Sequence, residues 1–134
     1  MTLSCSVVSG KDPEAIVTFL KSLRRSGQGL PHGLTTTAII NNGNTSLAER
    51  VAPSADRVIV RQTPQGFAAN HNEMLRTTKA EFHVIANDDI VVSPDCLPEL
   101  LDVMRTPGNE DATATVLSRL RSSTKMISST MPCS

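Results

Sequence analysis

Phe82-His83-Val84-Ile85-Ala86-Asn87-Asp88-Asp89-Ile90-Val91-Val92 is the stretch on which the fold turns. A mostly apolar run meets an amide and two carboxylates, and a second apolar run follows. Such a run, closed by polar residues, predicts a strand buried in a parallel sheet. Its carboxyl end then lies at the edge where open α/β sheets bind ligands. Adjacent carboxylates repel, and the pKa of one rises. A divalent cation shared with phosphate oxygens relieves that repulsion. Taken alone, the acidic pair also reads as a solvated turn.

Working outward, strand and helix alternate. Leu3, Cys5, Val7 and Val8 predict a first strand over 3–8. Asp12-Pro13 follows as a helix start, with Asp12 placed to cap and Pro13 at the first helical position. Ile16, Phe19, Leu20 and Leu23 share one face of that helix, and Lys21, Arg24 and Arg25 suit its solvated carboxyl end. A loop rich in glycine, carrying Pro31 and His32, leads to a Thr/Ile strand over 34–40 and the turn Asn41-Asn42-Gly43. A short helix over 46–51, a strand over 57–61 and a helix over 66–78 come next, with Met74 and Leu75 assigned to the core. Ser93-Pro94 opens a further helix. Three polar groups, 9–12, 41–44 and 87–89, end strands, and in a parallel sheet all three share one edge. Gly66 begins a helix whose free amides favour a negatively charged ligand at the same crevice.

The 134 residues suffice for one domain with a core. Thirteen basic and thirteen acidic residues cancel, which gives no electrostatic case for nucleic acid or an anionic membrane. No apolar stretch is long enough to span a membrane, and no signal peptide is recognisable. Cys5, Cys96 and Cys133 are too scattered for zinc or a disulfide framework and point to a reducing, cytoplasmic setting. With only Phe19, Phe67 and Phe82 aromatic, stacking platforms are scarce.

Four segments together resemble the donor-binding half of family 2 glycosyltransferases, inverting enzymes of the A-type nucleotide-sugar fold. They are Val7-Val8-Ser9 before Pro13-Glu14; Ile39-Ile40-Asn41-Asn42-Gly43-Asn44-Thr45; Pro64-Gln65-Gly66-Phe67-Ala68-Ala69-Asn70-His71-Asn72; and Ala86-Asn87-Asp88-Asp89-Ile90-Val91-Val92-Ser93-Pro94. The likeness spans roughly 3–104 and is closest to rhamnosyltransferase-like members that build cell-surface polysaccharide. It implies an α/β fold: a mostly parallel open sheet with helices on both faces, truncated before the acceptor half. It implies a donor-binding set of Val8, Ser9, Asn41, Gly66, Phe67, Asn70, Asn87 and Asp88, with Asp89 holding Mg²⁺ or Mn²⁺ against the diphosphate. Val8 and Ser9 would flank the base, and Asn41 stands where the family usually has an aspartate accepting from a pyrimidine. An amide oxygen can also accept. Gly10 and Lys11 replace the aromatic residue and Asn that often follow the first strand.

The implied function is transfer of a sugar from a thymidine or uridine diphospho-sugar to a glycan or lipid-linked acceptor, with inversion, in the cytoplasm or peripheral to a membrane. The alternative is a non-catalytic nucleotide-sugar-binding remnant or interaction module. No general base is nominated, because only Glu110 and Asp111 are acidic after Arg105. The expected organisation is a nucleotide-sugar-binding domain over 1–105 and an irregular, partly disordered tail over 106–134, with 122–134 read as disordered. A sheet lacking its last strands leaves an edge open to self-association. A phospho-acceptor receiver domain would need acids after the first strand and a Lys after the last, and neither is in place. A dinucleotide-binding dehydrogenase would need Gly-x-Gly-x-x-Gly after the first strand. His71 on a helix face reads first as a packing residue, and His83 has no partner visible in the sequence.

Overall fold

The computed structural model describes residues 3–28, 30, 33–105, 115–117, 126–128 and 132–133. His32, Glu110 and Asp111 lie outside these residues. The order is β1 (Leu3–Val8), α1 (Pro13–Gly27), β2 (Leu34–Ile40), α2 (Thr45–Val51) with a 3-10 turn (Ala52–Ser54), β3 (Arg57–Val60), α3 (Phe67–Thr77), β4 (Phe82–Ala86) and α4 (Cys96–Arg105). Three short strands follow: β5 (Thr115–Leu117), β6 (Met126–Ser128) and β7 (Pro132–Cys133).

Spatially the sheet runs β3-β2-β1-β4-β5-β6-β7. The first five of these strands pair in parallel, while β6 and β7 add antiparallel. Two expectations are thereby modified. Within 106–134, expected to be irregular, three strand pieces continue the sheet; the rest of that stretch lies outside the described residues. Accordingly β4 is not the bare edge, because Thr115 and Val116 of β5 pair with Ile85 and Ala86.

Register decides which residues share a face. Leu3, Cys5 and Val7 align with Thr36, Ala38, Val84 and Ala86 across β1, β2 and β4, and most of this set is apolar. Against it pack Ile16, Phe19, Leu20 and Leu23 of α1, Leu47 and Val51 of α2, and Cys96, Leu97, Leu100 and Leu101 of α4. Each large side chain so buried contributes on the order of 1.5–3 kcal/mol. The opposite face carries Ser4, Ser6, Thr35, Thr37 and His83, and α3 covers part of it. Helices therefore lie on both faces, as expected.

Helix α1 forms where its caps and periodicity direct. Asp12 accepts from the Glu14 amide at 3.0 Å and Pro13 occupies the first turn. Two serines on its inner face then fix the chain beyond β4. Ser22 Oγ donates to Phe19 O at 2.7 Å and accepts from Val92 N at 3.1 Å. Ser26 Oγ donates to Pro94 O at 3.1 Å and accepts from Leu97 N at 2.9 Å. Buried backbone amides require such partners. The residues immediately after Asp88-Asp89 are thus fastened to a core helix. Among the described residues, no helix is long and apolar enough to cross a membrane.

Candidate functional site

The three polar strand ends meet, because β2, β1 and β4 are neighbours and parallel. Ser9 N donates to Ile39 O at 2.8 Å, which extends the ladder one residue past β1. Its hydroxyl accepts from Asn41 N at 3.0 Å. On the other side, Gly10 N donates to Asp88 Oδ2 at 2.5 Å. The ends of β1, β2 and β4 are therefore one hydrogen-bonded rim. A Cβ built on Gly10 would stand 2.9 Å and 3.0 Å from the Asp88 carboxylate oxygens, so the glycine admits that carboxylate. From the sequence, Gly10 reads only as a departure from the family's aromatic residue.

A second network fixes the amino end of α3 beside β2. Asn41 Nδ2 donates to Gln65 O at 2.9 Å while Gln65 N donates to Asn41 Oδ1, also at 2.9 Å. A backbone N–H only donates and a carbonyl only accepts, so this pair sets the orientation of the amide. Asn70 Nδ2 donates to the same Asn41 Oδ1 at 3.2 Å and to Gln65 O at 3.3 Å. Arg61 Nε donates to Asn70 Oδ1 at 3.2 Å, and the Arg61 guanidinium pairs with Glu73. Asn70 is fully buried and holds Asn41 and Arg61 in place. Both lone pairs of Asn41 Oδ1 are occupied, and one Nδ2 hydrogen remains. Gln65, Arg61 and Glu73 escape sequence reading, since their partners are fixed only by the packing of α3.

Val8, Ser9, Asn41, Asn87 and Asp88 line this edge half-buried, and Gly66, Phe67 and Asp89 are exposed. Phe67 stacks at a tilt on His71, ring centres 4.3 Å apart. Gly66 caps α3 without a side-chain bond, which leaves the first-turn amides uncapped. Leu75, assigned to the core from its spacing, is instead 44% exposed, because α3 turns Asn70, His71 and Met74 inward.

Burial pushes the Asp88 carboxyl above its usual range, while the Gly10 hydrogen bond lowers it and neighbouring Asp89 and Asp12 raise it. Such a group gains from a cation that stabilises its ionised form. Among the described residues no cluster of three or more His, Cys, Asp or Glu could hold a metal. Mg²⁺ typically uses one or two carboxylates together with substrate phosphates and water, so the Asp88-Asp89 pair fits that need.

Beneath α3 lies a buried polar chain. His71 Nδ1 meets Ser6 Oγ at 2.7 Å, and Ser6 Oγ meets His83 Nε2 at 2.8 Å. His83 Nδ1 then meets Ser4 Oγ at 2.5 Å, and Ser4 Oγ meets Thr78 Oγ1 at 2.9 Å. Burial, then the charge of His83, lowers the His71 pKa to about 4, and burial lowers that of His83. His71 is thus a neutral packing residue, and the partners of His83 are two serines.

A family model described as "Glycosyl transferase family 2" matches residues 7–131, further along the chain than the sequence motifs reach. Among solved structures, S. aureus TarS matches with TM-score 0.62 at 15% identity, over 88% of this chain and 21% of that one. TarS 1-349, alone and in complex with UDP, matches at the same TM-score and identity, over 88% of this chain and 35% of those. The chain thus spans only about a fifth to a third of the structures it resembles. No curated protein sequence matches it.

Proposed function

The chain belongs to glycosyl transferase family 2, and we propose that its carboxyl-edge crevice binds a nucleotide diphospho-sugar for transfer to a glycan or lipid-linked acceptor with inversion. The observation that carries this reading is the rim itself, in which Ser9, Asn41, Gly10 and Asp88 join three strand ends. Val8 and Ser9 border the base, and Ser9, whose oxygen accepts from Asn41 N, keeps its O–H for the ligand. Asn41 offers its remaining Nδ2 hydrogen. Gly66 and Phe67 wall the pocket, and the open amides of α3 face negative charge. Asn87 and Asp88 meet ribose and diphosphate. Asp89, with Asp88 beside it, would hold Mg²⁺ or Mn²⁺, which when bound neutralises the diphosphate leaving group.

Thermal unfolding with UDP, dTDP and GDP, each with and without Mn²⁺, tests this on wild type and Asp89→Asn. TarS was crystallised in complex with UDP, which makes a uridine nucleotide the first probe. Ligand at about a hundred times its Kd adds roughly 2.7 kcal/mol. A metal-dependent shift, absent in Asp89→Asn, is expected. A cooperative melt that no nucleotide moves would sink the proposal.

One observation favours the second reading, binding without transfer: Asn41 Oδ1 is already occupied twice, so it cannot accept from a pyrimidine as the family's aspartate does. Release of free sugar from a donor with Mn²⁺ separates the readings, because donor hydrolysis needs no acceptor.

A further inference from the structure

A second concavity opens on the polar face of the sheet, at the amino ends of the strands. Its volume is about 350 Å³, and Ser4, Thr37, Arg57, Thr78, Lys79 and His83 are among its lining residues. That size falls in the range of small-molecule sites. Ser4 lies five positions before Ser9 along the chain, so at ~3.3 Å per residue the Ser4 end of the cavity is about 16 Å from the crevice.

Its chemistry is unlike that of a packing defect. Strands of a parallel sheet normally carry Val, Ile and Leu on both faces, yet this face presents Ser4, Ser6, Thr35 and Thr37. Ser4 and Thr37 are only 7% and 9% exposed. Ser4 is satisfied by Thr78 and His83. Thr37 Oγ1 has no hydrogen-bond partner among the described residues, although its residue lines the cavity. Arg57 and Lys79 bring two positive charges from different elements, and neither is ion-paired among the described residues. Among the described residues no carboxylate lines the cavity.

We propose that this cavity binds a phosphate ester, with Arg57 and Lys79 on the phosphate oxygens and Thr37 donating from the floor. A carboxylate is planar and is satisfied by a single guanidinium fork, whereas a phosphate takes donors from several directions. Cations on β3 and on the loop after α3, with a hydroxyl on β2 between them, suit the latter. The same headgroup chemistry occurs in soluble phosphorylated metabolites and in anionic lipids.

The test is amide NMR titration of the chain with glycerol 3-phosphate, beside flotation with phosphatidylcholine vesicles containing phosphatidic acid. Saturable shifts at Thr37, Thr78 and Lys79, with Gly10 and Asn41 unmoved, are expected with the soluble ester. Arg57→Gln and Lys79→Gln, both at exposed positions, are each expected to weaken binding roughly tenfold or more, and Thr37→Val several-fold. Flotation lost in the same variants would support the site with a lipid headgroup as its source. If neither probe binds, or if binding is unchanged in Arg57→Gln and Lys79→Gln, the proposal is overturned. Donor binding moves Gly10 and Asn41 instead, so failure at either site is read separately.

Discussion

The two faces of the sheet are built from alternate residues of the same strands and do opposite things. On one, Leu3, Cys5, Val7, Ala38, Ile40, Val84 and Ala86 meet three helices in a dry core. On the other, Ser6 bonds His71 of the single covering helix, Ser4 bonds Thr78 at its end, and His83 bonds both serines, while Thr35 and Thr37 line the cavity. The first face supplies stability in proportion to area removed from water. Geometry and the protonation of histidines govern the second. A parallel sheet that alternates in this way has given up apolar burial on one face, and the cavity lies on that face.

The largest expected effect belongs to the apolar face. Phe19 is fully buried, and Phe19→Ala should cost about 3–5 kcal/mol in urea unfolding. A loss below about 1 kcal/mol would erase the contrast between the faces.

On the polar face the corresponding probe is pH. The His71 pKa falls from 6.5 to about 4 on folding, so between those values the unfolded chain binds the extra proton. Stability contributed by neutral His71 is complete above about 6.5 and is lost as pH falls towards 4, a change of about 3 kcal/mol. His83, also lowered, acts in the same direction. Urea midpoints of wild type and His71→Leu at pH 7 and pH 4.5 check this, because the variant should lose much of the pH dependence. An unchanged dependence would mean that His71 titrates freely.

Asn41→Asp sharpens the comparison at the rim. It replaces the Nδ2 donor with an acceptor 2.9 Å from Gln65 O, and should cost about 1–2 kcal/mol. If uridine nucleotides bind Asn41→Asp more tightly despite that loss, position 41 reads the base. Gly10→Ala should change stability less, since the Asp88 carboxylate can swing away from a Cβ at 2.9 Å. It should nonetheless abolish the metal-dependent nucleotide shift. The smallest effect is expected for the exposed Arg50–Glu14 pair, where Arg50→Ala should stay within about 0.5 kcal/mol.

Much of this architecture is legible in the chain. The runs at 3–8, 34–40 and 82–86 declare strands, Asp12-Pro13 declares a helix start, and Asn87-Asp88-Asp89 declares a polar strand end at the carboxyl edge. Leu75 is misleading because helical spacing shows that a stripe exists without showing which side the sheet will cover. Gly10 looks like a loss until the Asp88 carboxylate is seen against it. Local signals identify β1 but do not reveal that Ser4 and Ser6 would meet His83.

The sequence by itself determined the parallel α/β order, the caps of α1 and the gathering of polar residues at one sheet edge. Each follows from interactions within a few residues, or from the rule that parallel strands end on the same side. Only the tertiary structure decided that Asn41 is committed to Gln65, that Asp88 sits on Gly10 and that Arg57 and Lys79 share a hydroxyl-lined cavity. Those contacts join residues from 22 to 78 positions apart. Register and helix placement bring them together, and no local pattern encodes either.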